Sequence, residues 1–284
     1  MVGRIKVIMA KRAGFCFGVK RAVVMAFAAA KESERVYTLG PIIHNPQVIE
    51  KLKSEGVQPV KSIDSRGIKT LIVRTHGVPK ETSEKLNKKK YEVIDATCPF
   101  VKKAQNYARL LRAEDYQVVI IGDKEHPEVK GLMSYAGPDV VVVNRDDPPP
   151  NLKSRVGVVV QTTQPVSVLK EFLGDTIERV KELKVFNTIC NSTALRLKET
   201  KSIAEKVDAV IVVGGKNSAN TTQLANFCIS MSVPTYHIET ASEIKDGWFA
   251  NVEKVGITAG ASTPDWIIEE VAERMRHIRR KVIV

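Results

Sequence analysis

The stretch VIDATCPFVKK, residues 93–103, starts on a β-branched apolar run, ends on apolar and basic residues at helical spacing, and sets Cys98 and Pro99 at the turn between them. Apolar β-branched runs bounded by polar residues read as buried strands. Proline is favoured at the first position of a helix, where its missing N–H costs nothing and its φ is already helical. The segment therefore predicts a strand that passes into a helix through a cysteine. A thiol at such a junction is poorly placed for packing, which asks for another role.

Junctions of this kind recur along the chain. Val/Ile/Leu-rich runs begin at 5 (IKVIMA), 35 (RVYTLG), 70 (TLIVRT), 91 (YEVIDA), 117 (QVVIIG), 156 (VGVVVQT), 208 (DAVIVVG) and 254 (KVGITAG). Segments such as KRAVVMAFAAAKE and TKSIAEKV lie between them with apolar residues at helical spacing. This alternation predicts an α/β protein with mostly parallel sheets. Pro46, Pro79, Pro99, Pro127, Pro165 and Pro264 each follow a strand end and are expected to open a helix. In a parallel sheet those junctions lie at the carboxyl ends of the strands, where ligands bind and helix N-termini offer N–H groups to anions. His44, His76, Cys98, His126, Glu128, Thr162 and Ser262 lie at or near them.

Cys16, Cys98 and Cys190 are 82 and 92 residues apart, close to a third of the 284-residue chain, in the related settings AGFCFG, ATCPF and NTICNST. The spacing suggests three α/β units, each presenting one cysteine toward a common centre. Widely spaced thiolates suit zinc or an iron–sulfur cluster, and buried inert cysteines are the alternative. Cys228, within the apolar helical pattern QLANFCISM, reads as core. RDDPPPNLK, 145–153, reads as a linker or an extended loop.

Composition narrows the function classes. Hydrophobic residues at 43 % and charged residues at 27 % describe a globular chain able to bury a large core. No apolar run reaches the ~18 residues of a membrane helix and the N-terminus lacks a signal-peptide pattern, so a cytoplasmic protein is expected. The net charge of +12 favours an anionic partner. Aromatic residues at 6 % and the lack of a nucleic-acid module weigh against nucleic acid. EHPEVKG has the H-x-E half of a zinc deaminase without P-C-x-x-C, and GGKNSANT lacks the earlier glycine of a Walker loop. A cluster-bearing redox sensor and a basic RNA-binding module are the rival classes.

In order, GFCFGVKRAV, GPIIHNPQVI, THGVP, DATCPFVKK, EHPEVKG, QTT, NTICNST, GGKNSANT and TAGASTPD resemble the signature segments of the LytB/IspH family of 4-hydroxy-3-methylbut-2-enyl diphosphate reductases. The resemblance implies three similar α/β lobes arranged as a trefoil around a central [4Fe-4S] cluster. They span 14–97, 98–190 and 191–284, with the N-terminal strand of 1–13 packing on the third. It implies that Cys16, Cys98 and Cys190 ligate the cluster, leaving one iron without a protein ligand. Glu128 is then the proton source, with Thr162 bonding the substrate hydroxyl and His126 beside them. His44, His76, His126, Ser218, Asn220 and Ser262 are implied to meet the diphosphate. The implied reaction is reductive removal of an allylic hydroxyl at the end of the methylerythritol phosphate route, with ferredoxin or flavodoxin as electron donor and no nucleic acid or membrane partner. Two positions depart from the family pattern: Leu197, where glutamine is frequent, and Ala219, where serine is frequent.

Overall fold

The computed structural model describes residues 2–281 apart from His44, Asp146 and Pro149. The chain starts with strands β1 (Val2–Arg4) and β2 (Lys6–Met9) and helix α1 (Phe17–Glu32). Then come β3 (Val36–Leu39), α2 (Pro46–Ser54), β4 (Val57–Val60), β5 (Thr70–Val73), α3 (Lys80–Leu86) and β6 (Glu92–Asp95). After α4 (Pro99–Ala113) follow β7 (Gln117–Ile121), α5 (Pro127–Ala136), β8 (Val141–Val143), β9 (Arg155–Val160), α6 (Val166–Thr176) and β10 (Glu182–Phe186). The last third holds α7 (Asn191–Ala204), β11 (Ala209–Val213), α8 (Ala219–Ser230), β12 (Thr235–Ile238), β13 (Lys254–Ala259), α9 (Asp265–His277) and β14 (Arg279–Lys281).

Among the described residues the strands form three four-stranded parallel sheets, ordered β4-β3-β5-β6, β8-β7-β9-β10 and β12-β11-β13-β2. The three orders are one pattern. In the third sheet its last place is filled from the N-terminus, with Val7 opposite Val255 and Met9 opposite Ile257. An antiparallel pair, β1 with β14, joins the two chain ends. Contacts divide the chain into two compact units. One comprises Met1–Lys20, His44–Val48 and Asn191–Val284 and holds the third sheet; the other comprises Arg21–Ile43 and Ile49–Cys190 and holds the first two. The 145–153 stretch joins β8 to β9 within the second sheet.

The central strands of the second and third sheets are largely apolar because helices cover both of their faces. Along β11, Ile211 and Val213 belong to a cluster with Ile267, Val271 and Met275 of α9, whereas Val210 and Val212 pack with Leu224, Ala225 and Cys228 of α8. This is the two-residue period of a strand with both faces buried. The second sheet repeats it, Val118 and Ile120 with Leu111 and Leu132, Val119 and Ile121 with Val168 and Leu169. Each such side chain contributes roughly 1.5–3 kcal/mol relative to exposure. Among the described residues no helix is long and apolar enough to cross a membrane.

The six junction prolines divide into two groups. Pro46, Pro99 and Pro127 are first helical residues, as their fixed φ favours. Pro79, Pro165 and Pro264 sit one residue earlier with ψ of 154°, 144° and 150°, so there the proline is the last extended residue.

Candidate functional site

The three thiols occupy equivalent places. Cys16, Cys98 and Cys190 follow β2, β6 and β10, each an edge strand, and precede α1, α4 and α7. Each backbone N–H is bonded across to the loop beyond the neighbouring strand: Cys16 to the Ala261 carbonyl at 3.1 Å, Cys98 to that of Thr75 at 2.9 Å and Cys190 to that of Thr162 at 2.7 Å. All three are half-buried and none forms a disulfide. The Cys98 side chain makes no capping bond although the residue is the N-cap of α4. Three soft donors, each at a helix N-terminus where negative charge is stabilised, fit an iron–sulfur group. Among the described residues no three His, Cys, Asp or Glu side chains are grouped to hold a single metal ion. Cys228 is fully buried on α8 and burial pushes its thiol up to about 11, which marks it as core.

Within the larger unit a buried carboxyl is bonded to Thr162. Pro127 and Glu128 open α5, and Glu128 is only 2 % exposed because its helix packs against the second sheet. Its Oε1 accepts the Thr162 N–H at 2.7 Å and its Oε2 accepts the Thr162 hydroxyl at 2.9 Å. Burial raises the carboxyl above its ordinary value, outweighing those two bonds, which pull it down. Such a carboxyl can hold a proton to deliver. The Thr162 carbonyl meanwhile takes the Cys190 N–H, so one residue ties the acid to a thiol-bearing junction.

His126 caps α5, its Nδ1 accepting the Glu128 N–H at 3.2 Å. That bond leaves Nδ1 without a proton and makes Nε2–H the donor of the neutral ring. The His76 ring stands edge-on to it, with centroids 5.3 Å apart. Neighbouring Gly77 has φ +72°, and a Cβ there would fall 2.9 Å from Gln105 Nε2. This loop therefore requires glycine.

Within the smaller unit, Ser218 caps α8 by accepting the Thr221 N–H at 3.5 Å. Asn220, in the first turn, has both amide atoms buried without a hydrogen-bond partner among the described residues. Leaving each unmade costs about 1–3 kcal/mol, which points to a ligand that supplies the missing partners. Ser262 gives its carbonyl to Asn45 Nδ2 at 3.0 Å, and Asn45 Oδ1 accepts the Val48 N–H at the start of α2. Ser262 directly follows Ala261, as His76 follows Thr75, so the bonds that place two of the thiols also place these two polar side chains. His44 lies outside the described residues. Leu197 packs with Val210, Val212 and Leu224, so the apolar residue at this departure is accommodated.

Sequence reasoning overlooked Asn45, Gln161 and Glu199. Gln161 Oε1 accepts the Asp123 N–H at 2.9 Å and holds the loop before His126. Its only sequence signal is a polar residue closing the apolar run of β9.

The model of the family described as LytB protein matches residues 7–276. The 4-hydroxy-3-methylbut-2-enyl diphosphate reductase of Pelobacter propionicus is 50 % identical over 278 residues, 97 % of this chain and 99 % of that one. That of Geobacter sulfurreducens is 49 % identical over 279 residues, again 97 % and 99 %. Among solved structures, (E)-4-hydroxy-3-methyl-but-2-enyl diphosphate reductase, the terminal enzyme of the non-mevalonate pathway, superposes with a TM-score of 0.79 at 47 % identity, covering 96 % of this chain and all of that one. The Plasmodium falciparum E-1-hydroxy-2-methyl-but-2-enyl-4-diphosphate reductase gives 0.83 at 27 % identity, covering 95 % and 88 %. With its three parallel-sheet lobes and a match over nearly its whole length, the chain belongs to the LytB protein family.

Proposed function

We propose that this chain reduces (E)-4-hydroxy-3-methylbut-2-enyl diphosphate to isopentenyl and dimethylallyl diphosphate, the terminal step of the non-mevalonate (methylerythritol phosphate) route to isoprenoids. The observation that carries the reading is the buried Glu128–Thr162 pair bonded through one backbone carbonyl to the Cys190 junction. Two electrons and two protons enter, the allylic C–O bond breaks and water leaves.

Cys16, Cys98 and Cys190 are the residues that hold an iron–sulfur group, a [4Fe-4S] cluster with one iron free of protein ligand. Bound there, it supplies electrons and a Lewis-acid position for the substrate hydroxyl. Glu128 delivers the proton, and the Thr162 hydroxyl orients the departing oxygen while linking it to the carboxyl. His126, its Nε2–H as donor, and His76 bind diphosphate oxygens, with Ser218, Asn220, Ser262 and His44 assigned to the same anion. Anchoring that polyanion fixes the allylic end for reaction. The lobes proposed for the chain span 14–97, 98–190 and 191–284, with the N-terminal strand beside the third. The +12 charge suits docking of an acidic ferredoxin or flavodoxin as donor, in the cytoplasm.

The test is anaerobic purification of the wild type and of Cys16→Ser, Cys98→Ser and Cys190→Ser, with iron and sulfide content, Mössbauer spectra with and without substrate, and turnover with a strong reductant. A cluster in the wild type, one iron site altered by substrate, and loss of both cluster and turnover in each variant are expected. A cluster that survives without any turnover of the diphosphate would point to a redox sensor and overturn the assignment.

A further inference from the structure

The loop between β2 and α1 that ends on Cys16 is held by two side chains of α7, a helix that follows Cys190 in the chain. Arg196 is 2 % exposed, and its guanidinium donates from Nε to the Arg12 carbonyl at 3.0 Å and from Nη2 to the Gly14 carbonyl at 2.7 Å. One turn on, the Glu199 carboxylate accepts the N–H groups of Lys11 and Arg12, both at 2.9 Å. Residues three apart share a helix face, so the pair forms one clamp with a donor end and an acceptor end. Four backbone groups of a short irregular loop are thereby satisfied from one helix. The loop also turns through Gly14 at φ +90°, where a Cβ would stand 2.9 Å from Asp265 Oδ1.

A guanidinium is costly to bury. Here it donates to two backbone carbonyls just ahead of a cysteine. The other two junctions follow the same rule, one with a guanidinium again and one with stacked rings. Arg21, on the helix beyond Cys16, donates to the Thr97 and Asp95 carbonyls ahead of Cys98 at 3.3 and 3.4 Å. Tyr107, on the helix beyond Cys98, stacks on Phe186 ahead of Cys190 at 3.9 Å between centroids. The helix after each cysteine thus holds the approach to another cysteine, and the Arg196–Glu199 clamp closes the cycle with its shortest hydrogen bonds.

We propose that Arg196 and Glu199 are positioning residues that preset the Cys16 loop for cluster ligation and slow release of the cluster; this rests on the assignment of Cys16 as a ligand. The test compares wild type with Glu199→Gln, Glu199→Ala, Arg196→Lys, Arg196→Met and Arg21→Met. The first measurement uses metal-free protein, in which amide exchange of residues 11–16 reads the clamp without any cluster. Exchange there is expected to rise about tenfold to a hundredfold in Glu199→Ala and Arg196→Met, and less in Glu199→Gln and Arg196→Lys, which keep part of the bonding. Amides 95–98 should change only in Arg21→Met. The second measurement is release of iron to a chelator from reconstituted protein, expected to accelerate in the same order with the circular dichroism of the fold unchanged. Should Arg196→Met fail to fold, the partly exposed Glu199 variants decide the matter. Unchanged exchange at 11–16 in Glu199→Ala, or faster exchange with no faster iron release, would overturn the proposal. If the wild type binds no cluster while the exchange pattern holds, the fault lies with the assignment of the ligand.

Discussion

The strand ends of the second and third sheets follow one plan and are finished in opposite ways. At the second, polar groups are paired within the protein: Glu128 uses both oxygens on Thr162, and Thr188 bonds both the N–H and the carbonyl of Val160 two residues before Cys190. At the third, Asn220 keeps both amide atoms buried and unpaired among the described residues. One end closes its buried polar groups on one another, and the other leaves buried amide atoms without partners among the described residues. The two ends also differ in how far along the chain their fastenings reach. The Cys190 loop is fastened to a strand 28 residues away, whereas the Cys16 loop is fastened to residues up to 188 away.

That contrast is open to attack by substitution. The largest effect is expected for Glu128→Gln, which removes the proton without removing an anion contact: turnover should fall about 10²–10⁴-fold with little change in substrate affinity. Steady-state kinetics that show a KM effect instead would place Glu128 among the binding groups. Asn220→Leu, near in volume, should do the reverse at the other sheet. Diphosphate affinity by calorimetry should weaken roughly 10- to 100-fold, while the ligand-free protein gains ~1–3 kcal/mol in denaturant unfolding because its unmade bonds are gone. A loss of stability would show that Asn220 has partners of its own. Thr188→Val should cost about 1–3 kcal/mol by stranding the Val160 N–H, with no change in exchange near Cys16.

The smallest effect is in the pH dependence. Burial raises the Glu128 carboxyl in the folded protein, so folding favours its protonated form. Its contribution is complete below the ordinary carboxylate range and is lost as pH rises through the raised folded value. Glu128→Gln has no such loss. Its stability relative to wild type should therefore rise with pH between the ordinary carboxylate range and the raised folded value, and be level on either side. Parallel urea titrations across that range would expose an opposite trend.

Legibility along the chain follows burial. Every central strand, β3, β5, β7, β9, β11 and β13, is announced by a Val/Ile run, as are the edge strands β2 and β6. The four strands that went unread within the sheets, β4, β8, β10 and β12, are all edges. An edge strand is paired on one side only and tolerates mixed residues, such as Pro59 in β4 and the charged Glu182 and Lys184 in β10. The cysteines and junction histidines were visible because they interrupt apolar runs at strand ends. Glu199 was not, since an acidic residue on an amphipathic helix looks like any solvated position.

The central strands, the parallel sheets, the helix starts to within a residue and the residue types at the strand ends are properties of local pattern, and the amino-acid sequence alone determined them. Tertiary structure alone decided that Thr162 joins the Glu128 carboxyl to a cysteine junction and that α7 secures the Cys16 loop. Those features are hydrogen bonds between groups far apart in the chain. Such bonds depend on where the folded core brings their partners, and they leave no periodicity in the sequence to be read.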